Sequence, residues 1–552
     1  MAAHDDRHAH KHKLGTLRLR HEHTNEVLLI PTPSDDPRDP LNWPRWYKNY
    51  VAGLSVWAIF LSTFSAAGPS AVLTNITISF FGPPGPTFLA AIAKAAYFIT
   101  VCALMMGMSN LVWVPLMIKF GRRPVYIGSY LLFIGTTAWA ASATSYSSML
   151  AATALLGCAA GAGEVLGPLT ISDLFFVHER GTMMVIYTCT LSAGTGVGSV
   201  LAGAITATTQ RWQNVYWLSC ALVAATAVLM FFTLPETTFP RHGGPDQLGR
   251  PATATKEDAA VVETKEDMAG IEQGLAATAN TQRVVGQRPS IAEIVRSRPT
   301  SYTSEALWTL SLRPIVLIIL PSALWASLVM AVSIGFLVAM SSNVSVAFSQ
   351  FYHFSTWQVG LSYLAGVIGS VVAVFFGGSL SDFVADYFTR RNGGIREPEM
   401  RLPAMLISLV TGPLALILYG VGIGNQLHWM CPVIGIALIN FTIVQAGNIS
   451  IVYMIDCYRP VAGEVTMTQY TFKSKTNSTQ ALFGFLLSFY TNDWISHSGY
   501  VAAFGEMAAI SGGVFLFSLL FFFYGKRIRL ATWDWAIMRT FVHWKGDREV
   551  GE

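Results

Sequence analysis

The chain has 552 residues, of which 52% are hydrophobic and only 12% are charged, and its mean hydropathy is +0.45. This composition excludes an ordinary soluble core and is typical of a protein with many membrane spans. The net charge of +4 gives no reason to expect nucleic acid as a partner, and none of the six cysteines is paired in an outer loop, so no disulfide is expected.

Twelve apolar stretches follow one another along the chain, and each can cover the roughly 20 residues that a helix needs to cross a bilayer. Alternate gaps hold 34 of the 36 Lys and Arg residues, which leaves only Lys94 and Arg211 on or near the other side. Because cations favour the cytosolic side, both termini are predicted to be cytosolic. The stretches are 50–72, 87–108, 124–142, 149–171, 183–205, 214–234, 313–340, 358–377, 402–422, 429–452, 477–496 and 502–524.

Residues 1–48 precede the first bundle and are polar, with six of the twelve histidines among the first 30. These histidines lack the fixed spacing of a structural metal site, so we expect a disordered cytosolic tail and no metal. The segment also lacks the short apolar core and cleavage site of a signal peptide. The first apolar stretch itself is therefore expected to direct insertion.

The longest connection, 237–312, is rich in Ala, Thr, Glu, Asp and Lys. This composition predicts a flexible cytosolic linker between a first six-helix bundle at 49–236 and a second at 313–524. Glycosylation sequons begin at Asn75 and Asn343, and both fall in gaps that the charge rule places outside. Their position agrees with the predicted orientation.

The last segment, 525–552, is predicted to form a cytosolic tail. Aromatic and aliphatic side chains recur in it at helical spacing among cations, at Trp533, Ile537, Phe541 and Trp544. The pattern fits an interfacial helix on the cytosolic leaflet. An ordinary tail packed against the end of the bundle fits it equally well.

Glu164 is the most informative polar residue in the apolar stretches, because it lies deep in 149–171, where an unpaired ionised carboxylate is costly. Its neighbours at helical spacing, Gly157, Gly161 and Pro168, indicate that this face meets another helix or a cavity. We interpret Glu164 as a group that binds a cationic substrate, exchanges a proton, or does both in turn. The alternative is a structural carboxyl bonded to a neighbouring helix.

Other polar side chains give weaker indications of a transport path. A narrow hydroxyl stripe in the fifth stretch can line the path, or its members can bond back to carbonyl groups of their own helix. Amides in the tenth stretch can contact a ligand or join helices, and Trp325 can stack on an amine or a ring. The stripe consists of Thr188, Ser192, Thr195 and Ser199, and the amides are Gln445 and Asn448.

Related loops occur at matching points of the two halves. The first reads Gly121-Arg122-Arg123-Pro124, and the second reads Gly378-Ser379-Leu380-Ser381-Asp382 followed by Arg390-Arg391. Fixed cations at such a turn can clamp helix ends together through carboxylates, or they can simply meet lipid phosphates. The loops resemble the cytosolic signature G-x-L-x-D-x-x-G-R-R/K of the major facilitator superfamily, whose halves rock around a central substrate site.

The resemblance extends over nearly the whole chain, through segments 39–44, 110–116, 173–181, 235–237 and 390–401. These segments are similar to the fungal drug:proton antiporter branch, and within it to the group that includes polyamine and histidinol carriers. The resemblance implies an all-α major facilitator fold of twelve transmembrane helices in two six-helix bundles. The gating residues that it implies are Arg122, Arg123, Asp173, Arg180, Asp382, Arg390 and Arg391.

Three departures from the family pattern bear on the mechanism. The acidic position of the first-half signature is Ile118, and the frequent Arg of the fourth stretch is Thr153. The antiporter motif of the fifth stretch is only partly kept, at Gly194, Gly198 and Gly203. Facilitated uptake and proton symport therefore stay open beside antiport.

The function expected from the sequence is proton-coupled export of a small organic solute, cationic or amphipathic, across a fungal plasma membrane by a monomer. The alternatives are uptake of polyamine-like cations and a nutrient sensor of transporter fold without net flux. No cofactor is expected. An enzyme is not expected, because the chain shows no metal-ligand spacing, nucleophile elbow or phosphate loop.

Overall fold

A computed structural model describes residues 36, 38–83, 85, 88–239, 293–294, 302, 307, 320–392, 397–457 and 465–533. Every regular element in these ranges is helical, which confirms the predicted all-α membrane fold. Eleven of the described helices are long and apolar enough to cross a membrane. The predicted linker lies almost wholly outside the described ranges, as do Ile537, Phe541 and Trp544, so the domain limits stay predictions.

Eight α-helices lie in the described residues of the N-terminal half. This half begins with a short 3-10 turn, Pro40–Asn42, and a second 3-10 turn, Gly68–Val72, joins α1 to α2. The helices are α1 Arg45–Ala67, α2 Leu73–Phe81, α3 Phe88–Met108, α4 Asn110–Phe120, α5 Arg122–Ser142, α6 Tyr146–Leu174, α7 Val177–Thr209 and α8 Gln213–Thr233.

Seven α-helices lie in the part of the C-terminal half that the structure describes. A π-helical turn, Phe375–Leu380, links α11 to α12, and a 3-10 helix, Pro398–Met405, precedes α13. The helices are α9 Pro321–Phe351, α10 Thr356–Ser362, α11 Leu364–Val374, α12 Ser381–Arg391, α13 Leu406–Gly424, α14 Met430–Cys457 and α15 Val465–Trp533. The predicted stretches 477–496 and 502–524 both lie in α15, which leaves helical geometry at Gly499, where φ is 76°.

One boundary differs from the sequence expectation in a way that affects a predicted site. The seventh stretch was expected to end at residue 340, but α9 continues to Phe351, so Asn343 lies inside a helix and is buried. The serines beyond residue 340 do not end the helix, because Ser342 bonds back to the Ala339 carbonyl. The other sequon residue, Asn75, is half-buried in α2. Asn343 therefore lies in the helix and not in the gap expected after residue 340, and glycosylation at both sequons stays a prediction.

Small residues allow the helices of each half to pack closely. A Cβ atom on Gly194 would lie 2.6 Å from the Phe60 carbonyl oxygen, so α7 approaches the backbone of α1 there. In the C-terminal half, a Cβ on Gly369 would overlap the Ala437 carbonyl, which brings α11 against α14. Small residues at such interfaces are how membrane helices gain van der Waals contact without a hydrophobic driving force.

The helix ends define two ends of the molecule, because the connections between successive long helices are short. We call one the charged end, which holds Arg45, Arg122, Arg391 and Arg529. We call the other the far end, which holds Phe81, Ser142, Gln210 and Phe351.

The two halves contact each other at the far end through backbone of α7 and α10. A Cβ on Gly203 would lie 2.7 Å from the Thr356 carbonyl oxygen, and a Cβ on Gly360 would lie 2.7 Å from the Ser199 carbonyl oxygen. The contact is reciprocal, since each half contributes a glycine that faces the other's backbone. Neither position can accept a larger residue without separating the helices.

Hydroxyl groups join the halves beside this glycine contact. The Thr74 and Ser345 hydroxyls lie 3.1 Å apart, and Ser345 Oγ donates to the Ala71 carbonyl at 3.3 Å. Thr74 belongs to α2 and Ser345 to α9, so these bonds cross between the halves. The far end is thus closed by backbone packing and neutral hydrogen bonds.

Candidate functional site

The polar centre of the N-terminal half is built around a proline. Pro168 lies inside α6 and has no N–H, so the carbonyl of Glu164, four residues earlier, loses its usual helical donor. The Tyr187 hydroxyl of α7 donates to that carbonyl at 2.7 Å. Gly167 makes the approach possible, since a Cβ there would lie 2.7 Å from the Tyr187 ring. The proline therefore fixes a tyrosine beside Glu164.

The side chain of Glu164 meets an amide from a third helix. Asn110 is fully buried at the start of α4, and its Nδ2 donates to Glu164 Oε2 at 3.5 Å. Asn110 Oδ1 has no hydrogen-bond partner among the described residues. Glu164 itself is half-buried. The carboxylate thus takes part in a long hydrogen bond to the Asn110 amide.

Asn110, Glu164 and Tyr187 lie at the same distance from the charged end. Glu164 lies ten residues before the end of α6, Tyr187 lies ten residues after the start of α7, and Asn110 lies ten residues before the end of α4. At 1.5 Å per residue, each lies about 15 Å from the charged end. A level of titratable and hydrogen-bonding groups at this depth is what a solute path through the half needs.

Part of the hydroxyl stripe of α7 bonds back to carbonyl groups of its own helix, which was the alternative to lining the transport path. Thr188 Oγ1 donates to the Met184 carbonyl at 2.9 Å and Thr195 Oγ1 to the Leu191 carbonyl at 3.5 Å, both within α7. Ser192 is buried between them, and Ser199 Oγ has no hydrogen-bond partner among the described residues. The stripe exists, but two of its four members bond to their own helix.

The predicted ligand groups of the C-terminal half lie apart from Glu164. Trp325 is buried among Tyr453 and Phe521, and its Nε1 donates to the Val514 carbonyl at 3.1 Å. Gln445 is fully buried, accepts from Ser408 Oγ and donates to the Ala404 carbonyl. Asn448 is half-buried. The structure thus places Trp325 and Gln445 in packing and interhelical hydrogen bonds within their half.

At the charged end of the N-terminal half, the Gly-Arg-Arg turn surrounds a carboxylate. Glu236 accepts from the backbone N–H of Arg122 at 2.9 Å and of Arg123 at 3.2 Å. Gly121 has φ of 91°, and a Cβ there would lie 2.6 Å from Glu236 Oε2. Glu236 therefore caps the N-terminus of α5 from a distant point in the chain, where the helix dipole favours a negative charge.

The two arginine side chains of this turn have separate partners. Arg122 Nε donates to Asp173 Oδ2 at 3.1 Å, and both side chains are about 10% exposed. Arg123 donates to the Phe231 carbonyl at 3.0 Å, near the end of α8. Ile118, at the signature's acidic position, is buried in the apolar core. The turn thus joins the ends of α5, α6 and α8 within one half.

The corresponding loop of the C-terminal half is more exposed. Asp382 pairs with Arg401 at 2.9 Å, and the Asp382 side chain is 56% exposed. Arg390 and Arg391 are exposed, and Arg391 lies over the Tyr387 ring at 5.2 Å. The side chain of Arg180 lies outside the described residues.

The structure shows contacts of several residues that the sequence did not single out. Tyr187 could have been found from the proline four residues after Glu164, since that spacing leaves a carbonyl without a donor. A buried pair, Glu399 with Arg529 at 3.5 Å, joins the 3-10 helix Pro398–Met405 to the end of α15. Nothing local in the sequence connects those two positions, which are separated by four predicted membrane-spanning stretches.

A membrane protein of two helical halves that pack against each other, with a half-buried carboxylate inside one of them, has the build of a secondary transporter. The chain belongs to the Major Facilitator Superfamily, whose family model matches residues 53–474. It is a multi-pass membrane transporter of small molecules and not an enzyme. Among the described residues, no group of three or more His, Cys, Asp or Glu side chains could hold a metal ion.

Its relatives are fungal. It is 26% identical to an uncharacterized MFS-type transporter of Schizosaccharomyces pombe over 91% of this chain and 88% of that protein. It is 24% identical to protein HOL1 of Saccharomyces cerevisiae over 93% of this chain and 92% of that protein.

Solved structures resemble it in fold. The human organic anion transporter MFSD10 matches 86% of this chain and all of its own, with 16% identity and a TM-score of 0.52. The xylose transporter XylE of E. coli matches 86% of this chain and 99% of its own, with 14% identity and a TM-score of 0.55. At this identity the likeness shows the fold alone.

Proposed function

We propose that this protein is a proton-coupled transporter of small organic cations, and that Glu164 is the residue at which proton and substrate exchange. The observation that carries the proposal is the level formed by Asn110, Glu164 and Tyr187, about 15 Å from the charged end. One carboxylate in an apolar bundle can be neutral with a proton or paired with a cation, and each state excludes the other.

The proposed direction is export in exchange for protons, with the charged end in the cytosol. Two observations support it: the cations at alternate gaps, and the resemblance of the loops to the drug:proton antiporter branch. We place the protein in the plasma membrane as a monomer. Uptake of polyamine-like cations is the second candidate, favoured by Ile118 and Thr153, which depart from the branch's pattern.

Flux in proteoliposomes under pH gradients of opposite sign tests both candidates. The solutes are radiolabelled polyamines, quaternary ammonium ions and amphipathic amines. Efflux driven by a gradient that brings protons in supports export, whereas uptake in the same direction as protons supports the second candidate. If the wild-type protein binds a cation yet moves none under either gradient, transport is refuted and the sensor interpretation replaces it.

Glu164→Gln tests the residue. The variant mimics the protonated state permanently, so pH-driven flux is expected to fall about tenfold or more, since contacts to a charged group contribute about 1.5–3 kcal/mol. The matched control is Glu506→Gln, which neutralises a carboxylate bonded to Trp494 near the far end. Unchanged pH-driven flux in Glu164→Gln, or an equal loss in the control, would falsify the assignment.

A further inference from the structure

The outward surface of the C-terminal half changes in chemistry along two neighbouring segments, α11 with α12 and the end of α15. In the first segment, Ile368 of α11 and Phe375 of the π-helical turn are exposed and apolar. Phe383 and Tyr387 of α12 follow on the way to the charged end. Phe383 is 68% exposed, which is unusual for a phenylalanine unless it meets lipid. After Tyr387 the exposed side chains are Arg390, Arg391 and Asn392, and the exposed acids Asp382 and Asp386 precede Phe383 and Tyr387 directly.

The end of α15 repeats this order. Leu516 and Leu520 are exposed and aliphatic, Phe523 is 72% exposed and Tyr524 is exposed beside it. Arg527 then follows and is exposed. Aliphatic, aromatic and cationic side chains in this sequence are what a helix presents as it passes from hydrocarbon through the interface to the headgroups.

Contacts between the two helices place their exposed faces side by side. The rings of Phe388 in α12 and Phe522 in α15 lie 5.9 Å apart in an edge-on arrangement. The membrane span that ends in α12 runs from Thr356 to Arg391, which is 36 residues. At 1.5 Å per residue this is about 54 Å, well beyond about 30 Å of hydrocarbon, so its end must reach the headgroups or pass them.

The cations at this level are available to a ligand. Among the described residues, Arg390, Arg391 and Arg527 form no ion pair with a carboxylate, although Arg391 lies over the Tyr387 ring. Lys526 is engaged with Glu397 at 2.6 Å. Three guanidinium groups without acidic partners, above a belt of exposed aromatic rings, fit phosphate attached to an acyl-chain body.

We propose that the outward face formed by α12 and the end of α15 binds the headgroups of anionic phospholipids in the leaflet at the charged end. The acyl chains lie along the aliphatic and aromatic side chains, and the phosphate and carboxylate groups meet Arg390, Arg391 and Arg527. We call this face the headgroup site. It assigns to Arg390 and Arg391 a partner outside the protein and does not depend on what the transporter carries.

Native mass spectrometry of the full chain in detergent, titrated with phosphatidylserine or phosphatidylcholine, tests the headgroup site. The wild-type protein is expected to retain phosphatidylserine in preference. Arg390→Gln, Arg391→Gln and Arg527→Gln are each expected to weaken that binding about fivefold, and the triple variant to lose the preference. Added salt is expected to weaken it too, because exposed charges are screened.

The control is Lys94→Gln with Arg211→Gln, which removes two exposed cations from the far end. The proposal is overturned if the wild-type protein retains both lipids equally, if the triple variant keeps the preference, or if the far-end control loses as much. Competition by soluble glycerophosphoserine at the same concentration overturns it as well, in favour of a site for free anions. A thermal unfolding curve for each variant confirms that the protein measured is folded.

Discussion

The charged ends of the two halves carry related loops but hold their charges differently. In the N-terminal half, Arg122 and Asp173 form a pair that is about 10% exposed, and Glu236 binds backbone N–H groups at the start of α5. In the C-terminal half, Asp382 and Arg401 form a pair in which the carboxylate side chain is 56% exposed and the arginine side chain is 17% exposed. A buried charge needs its partner, whereas an exposed pair is solvated either way, so the N-terminal turn depends far more on its contacts.

The two loops also differ in sequence. The signature's acid is kept at Asp382, but Ile118 stands in its place in the N-terminal half and packs in the apolar core. Arg122 pairs with an acid at the end of α6. Each of the four ion pairs between described residues joins two segments of the same half. These pairs stiffen the halves individually, whereas the halves contact each other at the far end and along α15, which packs against α3 and α4.

Asp173→Ala is expected to have the largest effect on stability. It leaves the guanidinium of Arg122 buried without its carboxylate, which costs about 3–5 kcal/mol. The free energy of unfolding in detergent is the measurement. A loss below about 1 kcal/mol would mean that the turn is as hydrated as the C-terminal loop and would remove the contrast between the halves.

The buried pair Glu399 with Arg529 tests whether the C-terminal half has a comparable element. Both side chains are nearly inaccessible, at 6% and 4% exposure. Glu399→Leu alone is expected to destabilise the folded protein by about 3 kcal/mol, because it leaves the Arg529 guanidinium buried without this carboxylate. The double variant with Arg529→Leu is expected to regain most of that loss, because an apolar pair of similar volume avoids the desolvation cost. If the double variant is no more stable than the single one, the attraction within the pair stabilises the protein by more than the free-energy cost of burying the two charges.

Much of this arrangement was predictable from sequence, and the exceptions have physical reasons. Helix content and the gathering of cations at one end follow from hydropathy and charge, which act locally along the chain, and eleven of the twelve predicted stretches correspond to candidate spans among the described residues. Glu164 was identified because a carboxylate in an apolar stretch is costly wherever its partners are. Its partner Asn110 was not, because their contact depends on how α4 packs against α6, and no local pattern encodes that packing.

Other expectations rested on residue types that occur both in binding sites or loops and in packed helices. A buried tryptophan such as Trp325 can serve a ligand or a core, and only the structure shows its Nε1 on a backbone carbonyl. The sequon at Asn343 was expected in a gap because the seventh apolar stretch was predicted to end at residue 340, yet Ser342 beyond it bonds back to the helix. Residue type alone did not distinguish these cases.

Gly203→Ala sharpens the comparison by acting at the opposite end of the molecule. The added methyl would lie 2.7 Å from the Thr356 carbonyl oxygen of the other half, so the far end is expected to open, at a cost of about 1–3 kcal/mol to the closed state. Labelling of a cysteine introduced at the far end should rise several-fold as the population shifts. Gly128→Ala is the matched control, because nothing lies within 4 Å of its added methyl. Equal labelling of both variants would show that the far-end contact does not set the balance.

Asp382→Ala is expected to have the smallest effect on stability, and for that reason it is the sharpest check on the contrast. Its carboxylate is more than half exposed, so water replaces Arg401 at little cost, and exposed pairs contribute about 0–1 kcal/mol. The free energy of unfolding should therefore change by less than a third of the change in Asp173→Ala. A loss equal to that of Asp173→Ala would place Asp382 in a less hydrated setting than its exposure indicates, and the two loops would then be equivalent in spite of Ile118. A small stability loss combined with a large change in transport rate would instead assign Asp382 to the gate and not to the fold.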